Sequence, residues 1–307
     1  RLEKPRNSCY TVYKDYKENM RPPGLPIFSI AGQTAQRSTN RKDDIPMANQ
    51  KVRITCDSTC DLSPELVEKY DIRVNPLFIV MHDRPLADGI EVTPDDLFDY
   101  TEATGLLPTT TAPNVQNFID FFTPLLEGDH AIIHFTISAS MSTAYNNARL
   151  AAAELSNVYV IDSKNLSTGS GLLVLRAAEM AAAGMEAGEI AAKISDLTDY
   201  VDASFIVDTL EYLHKGGRCS AVAKFGANLL KLKPCIEVRG GAMGVARKYR
   251  GKLGDVLVEY TADQLHDPAD IDTSRIFITH TGCDAATVAR VADKIRSILP
   301  FDEIIET

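Results

Sequence analysis

From residue 51 onward, the apolar positions fall into short β-branched runs that alternate with stretches of helical period. Val52–Asp57, Ala131–Ile137, Val158–Asp162 and Ile276–Thr279 read as strands, and Val74–Val80 as another. Leu62–Tyr70 predicts a helix with Ser63 as N-cap and Pro64 at the first helical position. Thr93-Pro94-Asp95-Asp96 opens a helix to Thr104 by the same chemistry. Val115–Leu126, Ala144–Leu155, Gly171–Met185, Ala187–Ser195, Leu253–Leu265 and Ala285–Leu299 read as further helices, and Glu303–Glu306 as a last strand. Arg239-Gly240-Gly241-Ala242 predicts the turn of a hairpin joining Ile236–Val238 to Met243–Ala246. Strands alternating with helices predict an α/β fold built on a parallel sheet. The repetition loosens after Phe205–Leu210, which places a boundary near residues 198–205. The expected organisation is an α/β domain over 51–200 followed by an α+β domain over 201–307, the second truncated because the chain stops beside a strand.

Residues 1–50 depart from this pattern. They hold Pro5, Pro22, Pro23, Pro26 and Pro46, and residues 1–47 carry nine basic and five acidic side chains with no helical or strand period. They are expected to be a disordered extension or an upstream artefact, outside the fold. A hydrophobic content of 45% and a charged content of 24% are those of an ordinary globular protein. A formal net charge of -10 argues against bulk nucleic-acid binding. No apolar stretch approaches the roughly 18 to 20 residues of a membrane span and no leader pattern is visible, so a cytoplasmic location is expected. Of the six cysteines only Cys56 and Cys60 lie close together, a poor zinc signature, and reduced thiols are expected. No metal or other cofactor is expected.

The candidate chemistry lies where strands run into hydroxyl clusters and then helices: Ser58-Thr59, Ser138–Thr143, Ser163 to Ser170, and His280-Thr281-Gly282. Ligands of open parallel sheets gather at the carboxyl ends of the strands, where helix N-termini favour anions. The chain thus reads as built to hold a carboxylate or phosphate with neutral donors. Pro108-Thr109-Thr110-Thr111-Ala112-Pro113-Asn114 fixes three hydroxyls in a loop, although Asn114 or Thr111 as a helix cap explains it as well. Ser138–Thr143 has more hydroxyls than one cap needs. In Asp162–Gly171 the glycines are explained better by close packing of the following helix than by a phosphate cradle, which matches no established motif. Lys215-Gly216-Gly217-Arg218 suits either an anionic group or a plain helix C-terminus. Ten Lys or Arg against one acid between Lys215 and Lys252 describe either a basic docking face or a solvated hairpin. No nucleophile elbow is present, and His134, inside an apolar strand, reads as a core residue.

In this order, Ile54–Leu62, Pro108–Asn114, Ser138–Ala148, Asp162–Gly171, Thr209–Ser220 and Leu232–Ile236 resemble the motifs of the DegV family of bacterial fatty-acid-binding proteins, which includes the FakB subunits of fatty acid kinase. The resemblance covers residues 51–307. It implies a two-domain DegV-like α/β fold, a parallel-sheet N-terminal domain plus an α+β C-terminal domain, with the ligand between them. It also implies that one long-chain fatty acid is the bound ligand, presented to an ATP-dependent fatty acid kinase subunit, with no catalysis by this chain alone, no nucleic acid and room for transient membrane contact. Thr110 matches the family threonine that contacts the carboxylate, and Ser138 matches the first serine of a Ser-Ser pair. The second is Ala139 here, so Ser138 or Ser140 takes the ligand contact. Arg218 and His280 are head-group or partner candidates. An acyl- or phosphoryl-transferring enzyme using Ser138–Thr143 and Arg218 is the alternative.

Overall fold

The computed structural model describes residues 9–16, 51–219, 232–267, 269 and 271–307. The strands are β1 (Cys9–Tyr16), β2 (Lys51–Asp57), β3 (Arg73–Asn75), β4 (Phe78–Met81), β5 (Arg84–Ala87), β6 (Thr109–Thr111), β7 (His130–Thr136), β8 (Val158–Asp162), β9 (Val201–Val207), β10 (Lys233–Arg239), β11 (Ala242–Tyr249), β12 (Ile271–His280) and β13 (Glu303–Glu306). The helices are α1 (Pro64–Lys69), α2 (Pro94–Thr104), α3 (Val115–Leu125), α4 (Ala144–Ala153), α5 (Ser167–Ala182), α6 (Ala187–Leu197), α7 (Glu211–Gly216), α8 (Leu253–Gln264) and α9 (Ala285–Ile298). Among the described residues, no helix is long and apolar enough to cross a membrane.

The expected parallel sheet is present, in the order β3-β2-β7-β8 with every neighbour parallel. A six-stranded sheet, β11-β10-β9-β1-β12-β13, is antiparallel except for its last pair. Its strand β9 begins at Val201, directly after a 3-10 turn over Thr198–Tyr200. The hairpin β10–β11 turns through Gly240 and Gly241, both at positive φ, as a two-residue loop requires.

Three features differ from the sequence expectation. Val74–Val80 is two strands: Pro76 lies between them, and β3 joins the parallel sheet while β4 enters a small antiparallel sheet, β5-β4-β6. The β4–β5 turn uses His82 and Asp83 at positive φ, a hairpin without the Asn-Gly or Asp-Gly signal. Thr109–Thr111, read as loop, is the edge strand β6. Finally, Cys9–Tyr16 is not outside the fold. It is a central strand, paired with β9 on one side and β12 on the other, in a run whose β-branched and aromatic content was outweighed in the reading by the surrounding prolines and charges. The rest of the extension expected over residues 1–50 lies outside the described residues.

Helix α5 joins the two large sheets. Its residues Leu172, Leu173, Leu175 and Ala177 pack on Ile54, Ile133 and Phe135 of the parallel sheet and, in the same core, with Ala203, Val238 and Phe277 of the six-stranded sheet. A helix whose buried residues run almost unbroken from Ser167 to Ala178 belongs in such a place. A Cβ on Gly171 would meet Leu62 Cδ2 at 2.8 Å and the Cys60 carbonyl at 3.1 Å. Close packing therefore accounts for that glycine. Helices α3 and α4 contribute Phe118, Phe122, Ala144 and Ala148 to a second core around Ile132, and α8 and α9 cover the far face of the six-stranded sheet.

Asn114 caps α3 in a reciprocal capping box with Asn117, each side chain accepting from the other's backbone N–H at 2.9 Å. Asn114→Ala is expected to cost about 1 kcal/mol. In thermal unfolding that is a fall of roughly 2–4 °C, and an unchanged midpoint would show that the cap contributes nothing.

A candidate ligand cavity between the sheets

A cavity of about 1040 Å³ opens between the parallel-sheet and six-stranded halves. One wall is the segment from Gly105 through β6 to Ala112, and the second is the turn after β7, Ala139 to Thr143. Tyr212, Leu213, Lys215 and Arg218, at and after α7, form the third. Its apolar surface comes from Leu77, Leu107, Ile137, Met141, Leu166 and Met243.

Local sequence explains how each wall is held. Asn147 of α4 donates to the Pro113 carbonyl at 2.8 Å, which ties the β6 loop to the β7–α4 segment. Gly217 is the left-handed cap of α7, its N–H bonded to the His214 carbonyl at 3.1 Å, so Lys215–Arg218 is a helix C-terminus. That cap also turns Arg218 back over the cavity. Its Nη1 donates to the Gly216 carbonyl at 2.7 Å, and its Nη2 reaches Thr110 Oγ1 at 3.4 Å. The helix C-terminus and a guanidinium at the cavity mouth thus coexist in this motif. The turn after β7 is fixed from below by Asp57, which accepts from the Ile137 N–H at 2.7 Å and from the backbone and hydroxyl of Thr59. Burial pushes the Asp57 carboxyl up to about 6, partly opposed by those hydrogen bonds.

The sequence-predicted site residues separate into two groups. Thr110, Ser140 and Arg218 all line the cavity, and all are exposed to it. Ala139 lines it too, where the family pattern has a serine. Ser138 is fully buried and does not line the cavity: its Oγ donates to the Gly241 carbonyl at 2.7 Å. His280 lies at the end of β12 with its Nε2 3.1 Å from Glu306, away from the cavity.

The hydroxyls of Asp162–Gly171 are committed elsewhere. Ser167 donates to Asp61 at 2.6 Å, Thr168 lies 2.6 Å from the Thr279 hydroxyl, and Ser170 donates to Ser163 at 2.8 Å. That loop seals α5 into the seam and is not a phosphate cradle. His134 is a core residue, ringed by Phe118, Phe121 and Phe122. The basic stretch is partly neutralised, with Lys233 on Asp208, Arg239 on Glu237 and Arg247 on Asp263, while its Lys224 and Lys231 lie outside the described residues. Among the described residues, no cluster of His, Cys, Asp and Glu is arranged to hold a metal ion.

The apolar lining was the part hidden from sequence reasoning. Leu106 and Leu107, an apolar pair directly after the Gly105 helix cap, were its only visible signal. Leu166, just before α5, and Met243, at the start of β11, reach the cavity by an approach that tertiary packing sets.

Comparison with known proteins agrees with this architecture. The model of the DegV family, described as "Uncharacterised protein, DegV family", matches residues 51–307. A DegV domain-containing protein of Clostridium perfringens is 34% identical over 213 residues, covering 68% of this chain and 76% of that protein. A fatty acid-binding protein of Thermotoga maritima is 31% identical, covering 83% of this chain and 90% of its own. The solved structure of a fatty-acid-binding DegV family protein from Thermus thermophilus superposes with a TM-score of 0.76 at 29% identity, covering 84% of this chain and 92% of that one. With its motifs, its two-sheet architecture and these matches in agreement, the chain belongs to the DegV family.

Proposed function

We propose that this protein binds one long-chain fatty acid in the cavity and presents its carboxylate to an ATP-dependent fatty acid kinase. The observation that carries this reading is the mixed lining of the cavity, apolar at Leu77, Met141, Leu166 and Met243, with the hydroxyls of Thr110 and Ser140 and the guanidinium of Arg218, which reaches Thr110 Oγ1 at 3.4 Å. Burying each methylene contributes about 0.8 kcal/mol, so an acyl chain supplies the driving force. Hydroxyl donors and one guanidinium stabilise the ionised carboxylate and fix which end lies outward. The exposed Lys215 and Arg218 at the same opening suit the extra negative charge of an acyl phosphate. The fatty-acid-binding relatives in Thermotoga maritima and Thermus thermophilus support the same ligand class.

The test is the native mass of the purified protein before and after organic extraction, with the extract identified by mass spectrometry. An extractable fatty acid at one per chain supports the reading, and no excess mass with no uptake of added palmitate or oleate overturns it. Arg218→Ala is expected to weaken palmitate binding about tenfold, the loss of one charge-assisted contact at an exposed site. The acyl phosphate is expected from ATP and palmitate only when a kinase partner is added; formation by this chain alone would favour the enzyme reading.

A further inference from the structure

We propose that Ser138 is a positioning residue, through which the tip of the β10–β11 hairpin sets the cavity hydroxyl of Ser140. The inference rests on the fatty-acid reading above and assigns a part to a residue that touches no ligand. Ser138 Oγ sits between the two halves of the molecule. It donates to the Gly241 carbonyl at 2.7 Å and accepts the Ser140 backbone N–H at 3.2 Å. Its own backbone is fixed as well, the N–H on the Asn165 carbonyl at 2.9 Å and the carbonyl accepting from Met141 and Ser142. One fully buried hydroxyl thus links the six-stranded sheet to the turn that carries Ser140 into the cavity.

The hairpin tip is shaped for this contact. Gly241 has φ +83°, and a Cβ there would lie 2.6 Å from Ser138 Oγ and 3.4 Å from Ser140 Oγ. No side chain fits between the tip and the two serines, and the left-handed backbone favours glycine in any case. The two-residue turn therefore does more than reverse the chain: its bare backbone is the strut against which the Ser138–Ser140 turn rests. Asp162 holds the same turn from the other side, accepting from the Ala139 N–H at 3.1 Å and from the Lys164 N–H at 2.9 Å. With the backbone held from both sides, Ser140 presents its hydroxyl without reorganising when an anion arrives. By linkage, a carboxylate on Ser140 must in turn strengthen the hold of the hairpin on the turn.

The measurement is binding of hexadecanoic acid and of hexadecan-1-ol, which has the same chain but no carboxylate, to wild type, Ser138→Ala, Ser140→Ala and the double variant. Ser138→Ala is expected to weaken the acid about tenfold and leave the alcohol within about twofold. The double variant is expected to bind the acid no more weakly than Ser140→Ala, because one acts through the other. Ser138→Thr, which keeps the hydroxyl donor, is expected to fall between wild type and Ser138→Ala. Equal loss of acid and alcohol, or single-variant losses that multiply in the double variant, would overturn the assignment while leaving the ligand reading intact. A wild-type protein that binds neither compound overturns the ligand reading, and this assignment with it.

Discussion

Arg275→Met is expected to lower the free energy of unfolding by about 2 kcal/mol, read from urea titrations at neutral pH. The Arg275 side chain, only 12% exposed, donates from Nε to Glu303 at 2.8 Å and from Nη2 to Glu179 at 2.8 Å, with the Tyr70 hydroxyl at 3.3 Å. Glu303 lies on β13, Glu179 near the end of α5 and Tyr70 at the end of α1, so one guanidinium ties the six-stranded sheet to the other half. Removing one member of a fully buried pair costs about 3–5 kcal/mol, but both acids here are partly hydrated, which lowers the figure. Arg275→Lys is expected to recover little of the loss, since an ammonium cannot span two carboxylates as a planar fork does. Adding Glu179→Met to Arg275→Met is expected to cost less than the sum of the separate changes, because one of the two acids left without Arg275 is then gone. A stability within about 0.5 kcal/mol of wild type, the ordinary range of a surface substitution, would show that this clasp is only a surface ion pair.

The clasp also shows why α5 matters to the cavity. Its first turn is fastened by Ser167, Thr168 and Ser170, and its last by Glu179 on Arg275. Leu166, just before it, lines the cavity. A helix fastened at both ends holds the two halves at a fixed spacing, and with them the cavity walls.

How far the sequence disclosed this can be followed residue by residue. The parallel strands were legible because their apolar runs are continuous and bounded by caps, as with Ser63-Pro64 and Thr93-Pro94, both of which cap their helices. Strand β6 was not legible: three consecutive threonines carry no alternation, and its pairing with β4 is decided by the hairpin beyond Pro76. The central placement of Cys9–Tyr16 was hidden for the same reason, since partners more than 180 residues away in sequence decide it. For the site, residue type located the hydroxyl cluster but could not assign directions within it. Ser138 and Ser140 are two apart, yet one faces the seam and the other the cavity, and only the approach of Gly241 separates them.

The largest expected effect concerns acid and a histidine that does not line the cavity. Comparing wild type with His134→Leu, the difference in unfolding free energy is expected to change by about 3 kcal/mol between pH 7 and pH 4, against wild type. Burial among three phenylalanines pushes the His134 imidazole down to about 3, whereas an unfolded histidine titrates near 6.5. Below that value the unfolded chain takes up a proton that the native protein refuses, so the native state loses ground as pH falls toward 3. Asp57 acts with the opposite sign. Its folded value of about 6 lies above the unfolded value near 3.9, so the native protein binds the proton first and gains as pH falls through 6. Asp61, likewise pushed up to about 6 by burial, acts in the same direction as Asp57; over pH 7 to 4 each carboxyl contributes a gain of about 2 kcal/mol and His134 a loss of about 3 kcal/mol. Leucine at 134 removes the loss and leaves the gains from Asp57 and Asp61, while Thr55, which pairs with His134 Nδ1 at 2.8 Å, keeps the Ile133 carbonyl as a partner at 3.4 Å. The difference between the two proteins isolates His134, because the carboxyl groups titrate equally in both. Urea unfolding at pH 4, 5, 6 and 7 measures it, and a constant difference across that range would mean that the imidazole is protonated inside the native core.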